Sequence, residues 1–232
     1  ELGSKKFGVL GGIGSKQLGD IHAGGDLGTL SPTGFDAFSW DIKTKVKVGN
    51  MLLTGAWQHL VQEDVPLYHQ IASGSYSRYH FNPQQRDLGY LRLASTYSSK
   101  IFSQVRYTVA YLNSLEVREK QRTGSLVFRT ERDRVDTYHG GIEVISDLSS
   151  RWKVSSGVEV YHDYVGSSAE DTNQDTDETT QARGLYPDGT TYTNAALYSV
   201  HALDISRFHI TLGGRYNLVQ LKVDDPEFGL TT

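Results

Sequence analysis

The stretch FSWDIKTKVKV, residues 38–48, shows the pattern that most of the chain repeats. Apolar side chains and one threonine occupy every second position, from Phe38 to Val48, and Ser39, Asp41 and three lysines occupy the positions between. A strand collects alternate residues on one face, whereas a helix would spread the lysines around its circumference. The stretch therefore predicts a β-strand with one apolar face and one charged face.

The same alternation recurs along the chain, and the composition agrees with it. It is clearest at 152–164 and 208–218, and further strands are predicted near 5–14, 51–61, 87–97, 101–116, 133–146 and 194–204, with an additional segment near 122–130. The chain has 24 Gly, 14 Tyr and only 1 Met, a bias towards strands and turns. We predict an all-β fold: an antiparallel up-and-down meander of about nine or ten strands that forms one domain, 1–232.

The connections between the predicted strands alternate in length. Long connections are predicted at 15–34, 62–86, 117–132 and 165–193, and short ones at 49–50, 98–100, 147–151 and 204–207. Such alternation brings every long loop to one end of the sheet, which is typical of outer-membrane barrels with short periplasmic turns and long extracellular loops. The pattern favours a partial transmembrane β-barrel in a Gram-negative outer membrane.

The two faces of the predicted strands suit lipid on one side and water on the other. The charged face carries Lys43, Lys45, Lys47, Arg106, Glu143, Glu159, His209 and Arg215. These charges would be costly in a dry protein core, so we expect them to line a lumen. Aromatic residues near strand ends are expected to form girdles at the two membrane interfaces. They are Phe38, Trp40, Tyr97, Tyr107, Tyr111, Trp152, Tyr161, Tyr164, Tyr198, Phe208 and Tyr216.

Several classes of function find no support in the residues. The absence of cysteine removes disulfides, thiolate zinc sites and cysteine nucleophiles, and the net charge of −4 gives no reason to expect nucleic acid. No apolar run approaches the roughly 18 residues of a membrane helix. Motifs of hydrolases, zinc proteases and phosphate-binding loops are missing as well, so we predict no enzyme and no resident cofactor.

Five short motifs resemble the TonB-dependent receptors of the outer membrane. They are DVPLY at 64–68, YHFNPQQR at 79–86, GVEVYHD at 157–163, RGLYPDGT at 183–190 and TLGGRYN at 211–217. The likeness extends over nearly the whole chain and is nearest to the branch that takes iron from haem and host iron proteins. The boxes FRAP and NPDL of the haem branch are missing.

The resemblance implies a 22-stranded barrel that is filled by an N-terminal plug and driven by the inner-membrane TonB complex. The implied partners are the lipid bilayer, lipopolysaccharide, the plug and an iron chelate, either a ferric siderophore or haem. No plug-like domain, no TonB-contacting segment and no final strand ending in an aromatic residue are found in the sequence. We therefore expect an incomplete barrel whose plug and C-terminal strands are absent, with a further extracellular loop starting at Asp224.

Candidate ligand contacts concentrate in the predicted loop 62–86. They are Tyr68, His69, Tyr76, Arg78, Tyr79 and His80. Tyr and His ligate haem iron, and loops on a rigid barrel are where binding residues concentrate. The alternative is that these side chains pack on each other or on lipopolysaccharide.

The acidic loop 165–193 has oxygen ligands at alternate positions from Asp171 to Asp177, as a calcium loop does. Thr176 replaces the glycine of such a loop, however, and Ala182 replaces its final glutamate, so a solvated acidic loop is favoured and no metal site is predicted.

Two other functions stay open from the sequence. One is a soluble all-β surface module for adhesion or glycan binding. The other is an outer-membrane barrel that works as a porin or an enzyme. Dependence on detergent separates the first of these from a receptor segment, because only a membrane wall needs an apolar solvent around it.

Overall fold

The computed structural model describes residues 2–223, so the loop expected at Asp224 lies outside the described residues. The strands are β1 Leu2–Gly3, β2 Phe7–Leu18, β3 Ile21–His22, β4 Thr29–Leu30, β5 Phe35–Val48, β6 Met51–Glu63, β7 Val65–Pro66, β8 Tyr76–Thr96, β9 Gln104–Arg122, β10 Val127–Ser149, β11 Trp152–Asn173, β12 Thr179–Ala182, β13 Thr190–Ile205 and β14 Phe208–Lys222. Between them lie a 3₁₀ turn, Gly25–Leu27, and one short helix, α1 Tyr68–Ala72. No helix within 2–223 is long and apolar enough to cross a membrane.

The long strands form one antiparallel sheet in chain order, β1-β2-β5-β6-β8-β9-β10-β11-β13-β14. The short strands β7 and β12 pair with β8 and β11, and β3 and β4 form a separate hairpin. Nine of the described strands are 12 residues or longer, which confirms the predicted count. The all-β up-and-down meander is therefore confirmed. Within residues 2–223, β1 and β14 are the two edges of the sheet.

Residues that pair across adjacent strands lie on the same face of the sheet, so the register assigns every strand residue to one of two faces. Trp40 lies opposite Ile13 on β2 and His59 on β6, and the same row continues through Asp87 and Asn113. We call the face that bears Trp40 the apolar face and the opposite face, which bears the lysines of β5, the charged face. All eight charged residues predicted to share a face do lie on the charged face, according to the strand register.

Large apolar side chains on the apolar face are exposed. Ile13 is 80% exposed, Leu212 63% and Leu197 59%, and each long strand has at least one exposed large apolar residue on this face. Among the described residues, the buried apolar side chains are only Val117, Val154, Ala169 and Ala196. A continuous apolar surface of this kind marks an interaction with another protein or a membrane.

Two members of the predicted aromatic girdles lie elsewhere. Tyr161 pairs with Asn194 and Tyr198 pairs with Gly157, and both tyrosines fall on the charged face. Trp40, Tyr107, Tyr164 and Tyr216 do lie on the apolar face, as an interface girdle requires.

The strands are longer than predicted, and much of three predicted loops is strand. β8, β9, β10 and β11 extend well into 62–86, 117–132 and 165–193, so the connections shrink to 64–75, 123–126 and 174–189. The extensions are polar on both faces and therefore lack the alternation that reveals a strand. Opposite charges on neighbouring strands hold them instead, as where Arg118 lies opposite Glu131.

The strict alternation of long and short connections is also wrong, because 123–126 is shorter than 97–103. The order of the sheet nevertheless brings 19–34, 64–75, 123–126 and 174–189 to one end of it. We call this the rim end, and the opposite end with the turns at 49–50, 150–151 and 206–207 the turn end.

The first rim connection, 19–34, is tied together by one carboxylate. Asp20 Oδ1 accepts hydrogen bonds from the backbone N–H groups of Thr33 (2.7 Å) and Gly34 (2.9 Å). A hydrogen bond from the Ser31 side chain, together with these two backbone hydrogen bonds, lowers the pKa of Asp20 from its ordinary value of 3.8 to about 2. Hydrogen bonds to the charged form favour that form, so the tie needs an ionised Asp20.

We expect this tie to contribute stability fully above pH 3.8 and to lose it as the pH falls through about 2, because the folded state has the lower pKa. Carboxyl NMR of the protein in detergent would give the pKa of Asp20 directly. In Asp20→Asn the loop should no longer respond to pH between 4 and 2, roughly the interval over which the carboxyl titrates. An Asp20 that titrates near 3.8 would contradict the arrangement.

Candidate functional site

The charged face near the turn end carries a row of lysines on β5. Lys43, Lys45 and Lys47 stand at alternate positions, and their neighbours across β2 and β6 are uncharged apart from Lys6, which lies beside Lys47. Within residues 2–223, none of the three makes an ion pair closer than 4.0 Å. Asp41, two residues before Lys43 on the same face, carries one negative charge against these three lysines, so this part of the wall keeps a net positive charge.

The other half of the charged face neutralises its own charges. Arg106 on β9 contacts Glu143 on β10 at 2.9 Å, and Glu143 also accepts a hydrogen bond of 2.5 Å from the hydroxyl of Ser155. Arg215 on β14 contacts Glu159 on β11 at 2.5 Å. These contacts join different strands, so they hold the side chains in place on a polar wall.

Towards the rim end, the extended strands hold a buried ionic cluster on the charged face. Arg118 makes an ion pair with Asp133, whose other oxygen accepts a hydrogen bond of 2.6 Å from the Ser167 hydroxyl. Lys120 contacts Glu131 at 2.6 Å. The side chains of Arg118, Glu131 and Asp133 are only 11%, 6% and 7% exposed, so the cluster is a rigid element of the extension.

Beside this cluster lies a groove of about 290 Å³. Its lining consists of Tyr76, Lys120, Arg122, Ser125, Val127, Arg129 and Asp171. Arg129 donates two hydrogen bonds to Asp171, of 2.7 and 2.6 Å, which hold the pKa of that carboxyl below its usual range. A groove with three cations and one carboxylate carries net positive charge.

Aromatic rings complete one side of the groove. The Arg122 guanidinium lies 5.9 Å from the centre of the Tyr76 ring, and Lys120 lies 5.8 Å from that of Tyr79. The two tyrosine rings are 4.9 Å apart. Arg122 is exposed and makes no ion pair within residues 2–223, so its charge is available to a ligand.

The six residues predicted from the sequence separate into three groups. Tyr76 and Tyr79 reach the charged face beside the groove, because they pair with Arg122 and Lys120. Arg78 and His80 lie on the apolar face, where both contact Glu119 at 2.8 Å. Tyr68 and His69 lie on the helix α1 instead.

The cations of the groove are not among the residues predicted from the sequence. Arg118, Lys120 and Arg122 occupy alternate positions on β9, as the lysines of β5 do, and so share one face. Such alternate spacing indicates a strand, but these residues lie within the predicted loop 117–132. Arg129 and Asp171 become neighbours only through the pairing of β10 with β11.

The calcium-like pattern does not form a site among the described residues. Asp171 belongs to β11 and is engaged by Arg129, and no group of three or more His, Cys, Asp or Glu side chains within 2–223 could hold a metal ion. His139 and Glu143 share the charged face, and the carboxylate that His139 approaches is Glu159, at 3.9 Å.

Comparison with known proteins shows the fold of the chain. A solved structure described as "Copper transporter OprC" superposes with a TM-score of 0.77 over 95% of this chain, at 13% sequence identity. The matched part is 34% of that chain, so this chain spans about a third of its length. The likeness shows an all-β, barrel-like fold shared with a transporter. No family model and no curated protein matches the sequence.

Removal of Arg118 should destabilise the extended strands. Arg118→Ala leaves Asp133 buried without its cation, while Glu131 keeps Lys120; removal of one partner of a buried ion pair typically costs about 3–5 kcal/mol of unfolding free energy. Arg122→Ala on the same face of the same strand is the matched control, and it should change stability by about 0.5 kcal/mol or less since Arg122 is exposed. Unfolding by denaturant in detergent measures both variants. Equal stability of the two would show that the cluster is not structural.

Proposed function

We propose that this chain is part of the wall of an outer-membrane barrel of the TonB-dependent receptor kind, which takes up an iron chelate. The observation that carries the proposal is the division of one sheet into an exposed apolar face and a charged face. Lipid would cover the first and an aqueous or plugged lumen would contact the second. A sheet in which each long strand pairs with its neighbours also satisfies the backbone in hydrocarbon.

The two ends of the sheet would lie on opposite sides of the membrane. On β8 to β10 the apolar face ends near the row of Asp87, Asn113 and Asp136, and beyond it these strands are mostly polar on both faces. We place this rim end outside the cell, since outer-membrane barrels have their long loops there and tight turns at the periplasm.

The uncompensated lysines of β5 are where we expect a plug to contact the wall. Like charges on one face repel each other, and a plug with acidic groups would relieve that repulsion. In this proposal residues 1–232 form the barrel portion of a larger receptor, whose plug, remaining strands and TonB contact are contributed by other segments.

The groove at the rim favours an anionic chelate as the cargo. Exposed Arg122 supplies positive charge, and the rings of Tyr76 and Tyr79 supply flat apolar surface for an aromatic chelator such as a catechol or a porphyrin. The similar solved structure is named as a copper transporter. Copper in proteins is bound by imidazole, thiolate and thioether ligands, whereas the chemistry of this groove is cationic and aromatic, so we propose the iron chelate. The contacts predicted for Tyr68, His69, Arg78 and His80 stay predictions.

A pair of neighbouring arginine substitutions tests the membrane wall. Leu212 and Thr211 are adjacent on β14 and lie on the apolar and the charged face, respectively. Leu212→Arg should lower the unfolding free energy in lipid vesicles by about 2–4 kcal/mol, because a guanidinium would enter hydrocarbon. Thr211→Arg should cost much less, because it faces the lumen.

Either of two results would contradict the membrane wall. If the two variants lose the same stability, or if the native protein stays folded and monomeric in buffer without detergent, the membrane wall is wrong and the soluble surface module gains support.

Binding of a ferric catecholate to the native receptor tests the groove. Arg122→Ala should weaken binding about tenfold, the loss expected for one charge-assisted contact. Arg92→Ala, on the charged face at the far end of β8, should not change the affinity. A loss in Arg78→Ala with no loss in Arg122→Ala would move the contact to the opposite face and overturn the groove assignment.

A further inference from the structure

The apolar face carries a continuous slot where the apolar surface gives way to polar groups. Its lower part, nearer the turn end, is a cavity of about 430 Å³ whose lining includes Trp57, Leu91, Val109 and Tyr111. Its upper part, nearer the rim end, is a cavity of about 500 Å³ whose lining includes Trp57, Tyr111, Arg132 and Arg134. Because both parts share Trp57 and Tyr111, they form one elongated slot with an apolar end and a cationic end.

A glycine shapes the lower part of the slot. Trp57, Gly89 and Tyr111 form one row across β6, β8 and β9. A Cβ atom on Gly89 would lie 2.5 Å from the Trp57 ring, so only glycine lets the indole lie over the strand at this position. The row therefore consists of two aromatic groups with no side chain between them.

The carboxylates of the upper part are already engaged. Asp136 contacts Arg134 at 2.8 Å and accepts a hydrogen bond of 2.5 Å from the Tyr111 hydroxyl, and Asn113 donates another. Asp87 contacts His59 at 2.7 Å and accepts a hydrogen bond of 2.7 Å from Gln85.

Arg132 is different from these groups. It is exposed, it lines the slot, and it makes no ion pair within the described residues. The charge that the slot leaves available to a ligand is therefore the positive charge of Arg132.

We propose that this slot binds one phosphorylated, acylated lipid of the outer leaflet, with the chemistry of lipopolysaccharide. An acyl chain would lie against Trp57, Leu91 and Val109, and a headgroup phosphate would accept hydrogen bonds from Arg132. Arginine suits this role because its planar guanidinium matches phosphate oxygens. The inference rests on the proposed function, which places the cationic end of the slot at the outer headgroup level.

Binding of purified lipid A to the delipidated native protein in mild detergent tests the site, with native mass spectrometry as the readout. Diphosphorylated, hexa-acylated lipid A should bind as one molecule per protein. Arg132→Ala should weaken that binding about tenfold, as expected for loss of one charge-assisted hydrogen bond, and Arg132→Lys should restore part of it. The matched control is Arg92→Ala, because Arg92 lies on the charged face.

Three results would overturn the proposal. They are an unchanged affinity in Arg132→Ala, equal binding of dephosphorylated lipid A, and binding of inorganic phosphate at Arg132 as tight as that of the lipid. The last would mean a free-anion site. Equal binding of phosphatidylglycerol would likewise remove the preference for lipopolysaccharide chemistry.

Failure of this inference can be told from failure of the proposed function. If the native protein fractionates with outer membranes, and Arg132→Ala keeps the stability of the native protein but also its full lipid affinity, only the lipid site is wrong. If the native protein is found outside the membrane fraction, the proposed function is wrong whatever lipid A does in detergent.

Discussion

Pairing of every backbone N–H and C=O between neighbouring strands is the constraint on which this structure depends. The ladder between β10 and β11 runs from Val127 opposite Asn173 to Ser149 opposite Trp152, with one shift in register near the turn. In hydrocarbon such pairing is required, because no water can replace a missing partner. Once the ladders are fixed, alternation sends each side chain to one of two faces, and the chemistry of both faces follows from the register.

The charged face shows two ways to place ions on a wall. On β9, β10, β11 and β14, cations pair with carboxylates on other strands, as with Arg106 and Glu143 on adjacent strands and Arg215 and Glu159 across β13. On β5 the lysines have no such partners within residues 2–223. A wall that satisfies its own charges can face water alone, whereas the lysine row gains most from a partner of opposite charge.

The sequence was informative where one face is apolar and the other polar. There, Phe38 to Val48 and 208–218 predicted their strands closely, and eight charged residues were assigned to the correct face. The extensions of β8 to β11 carried no such contrast, so they were interpreted as loops. Tyr79 and His80 face opposite ways by alternation alone. The register shift between Tyr76 and Arg78 puts Tyr76 on the same face as Tyr79, and the shift between Phe81 and Gln84 makes that face the charged one; no residue pattern discloses such shifts.

The tight turns at 49–50, 150–151 and 206–207 also bear on how the chain assembles. Because each long strand lies beside the next one in the chain, its pairing partners are at most 51 residues away in sequence, the separation of Trp152 from Leu203. Folding rates fall as contacts become more distant in sequence, since closing a long loop costs entropy before any contact forms. A sheet with this order can grow by one hairpin at a time, each finished strand serving as the template for the next.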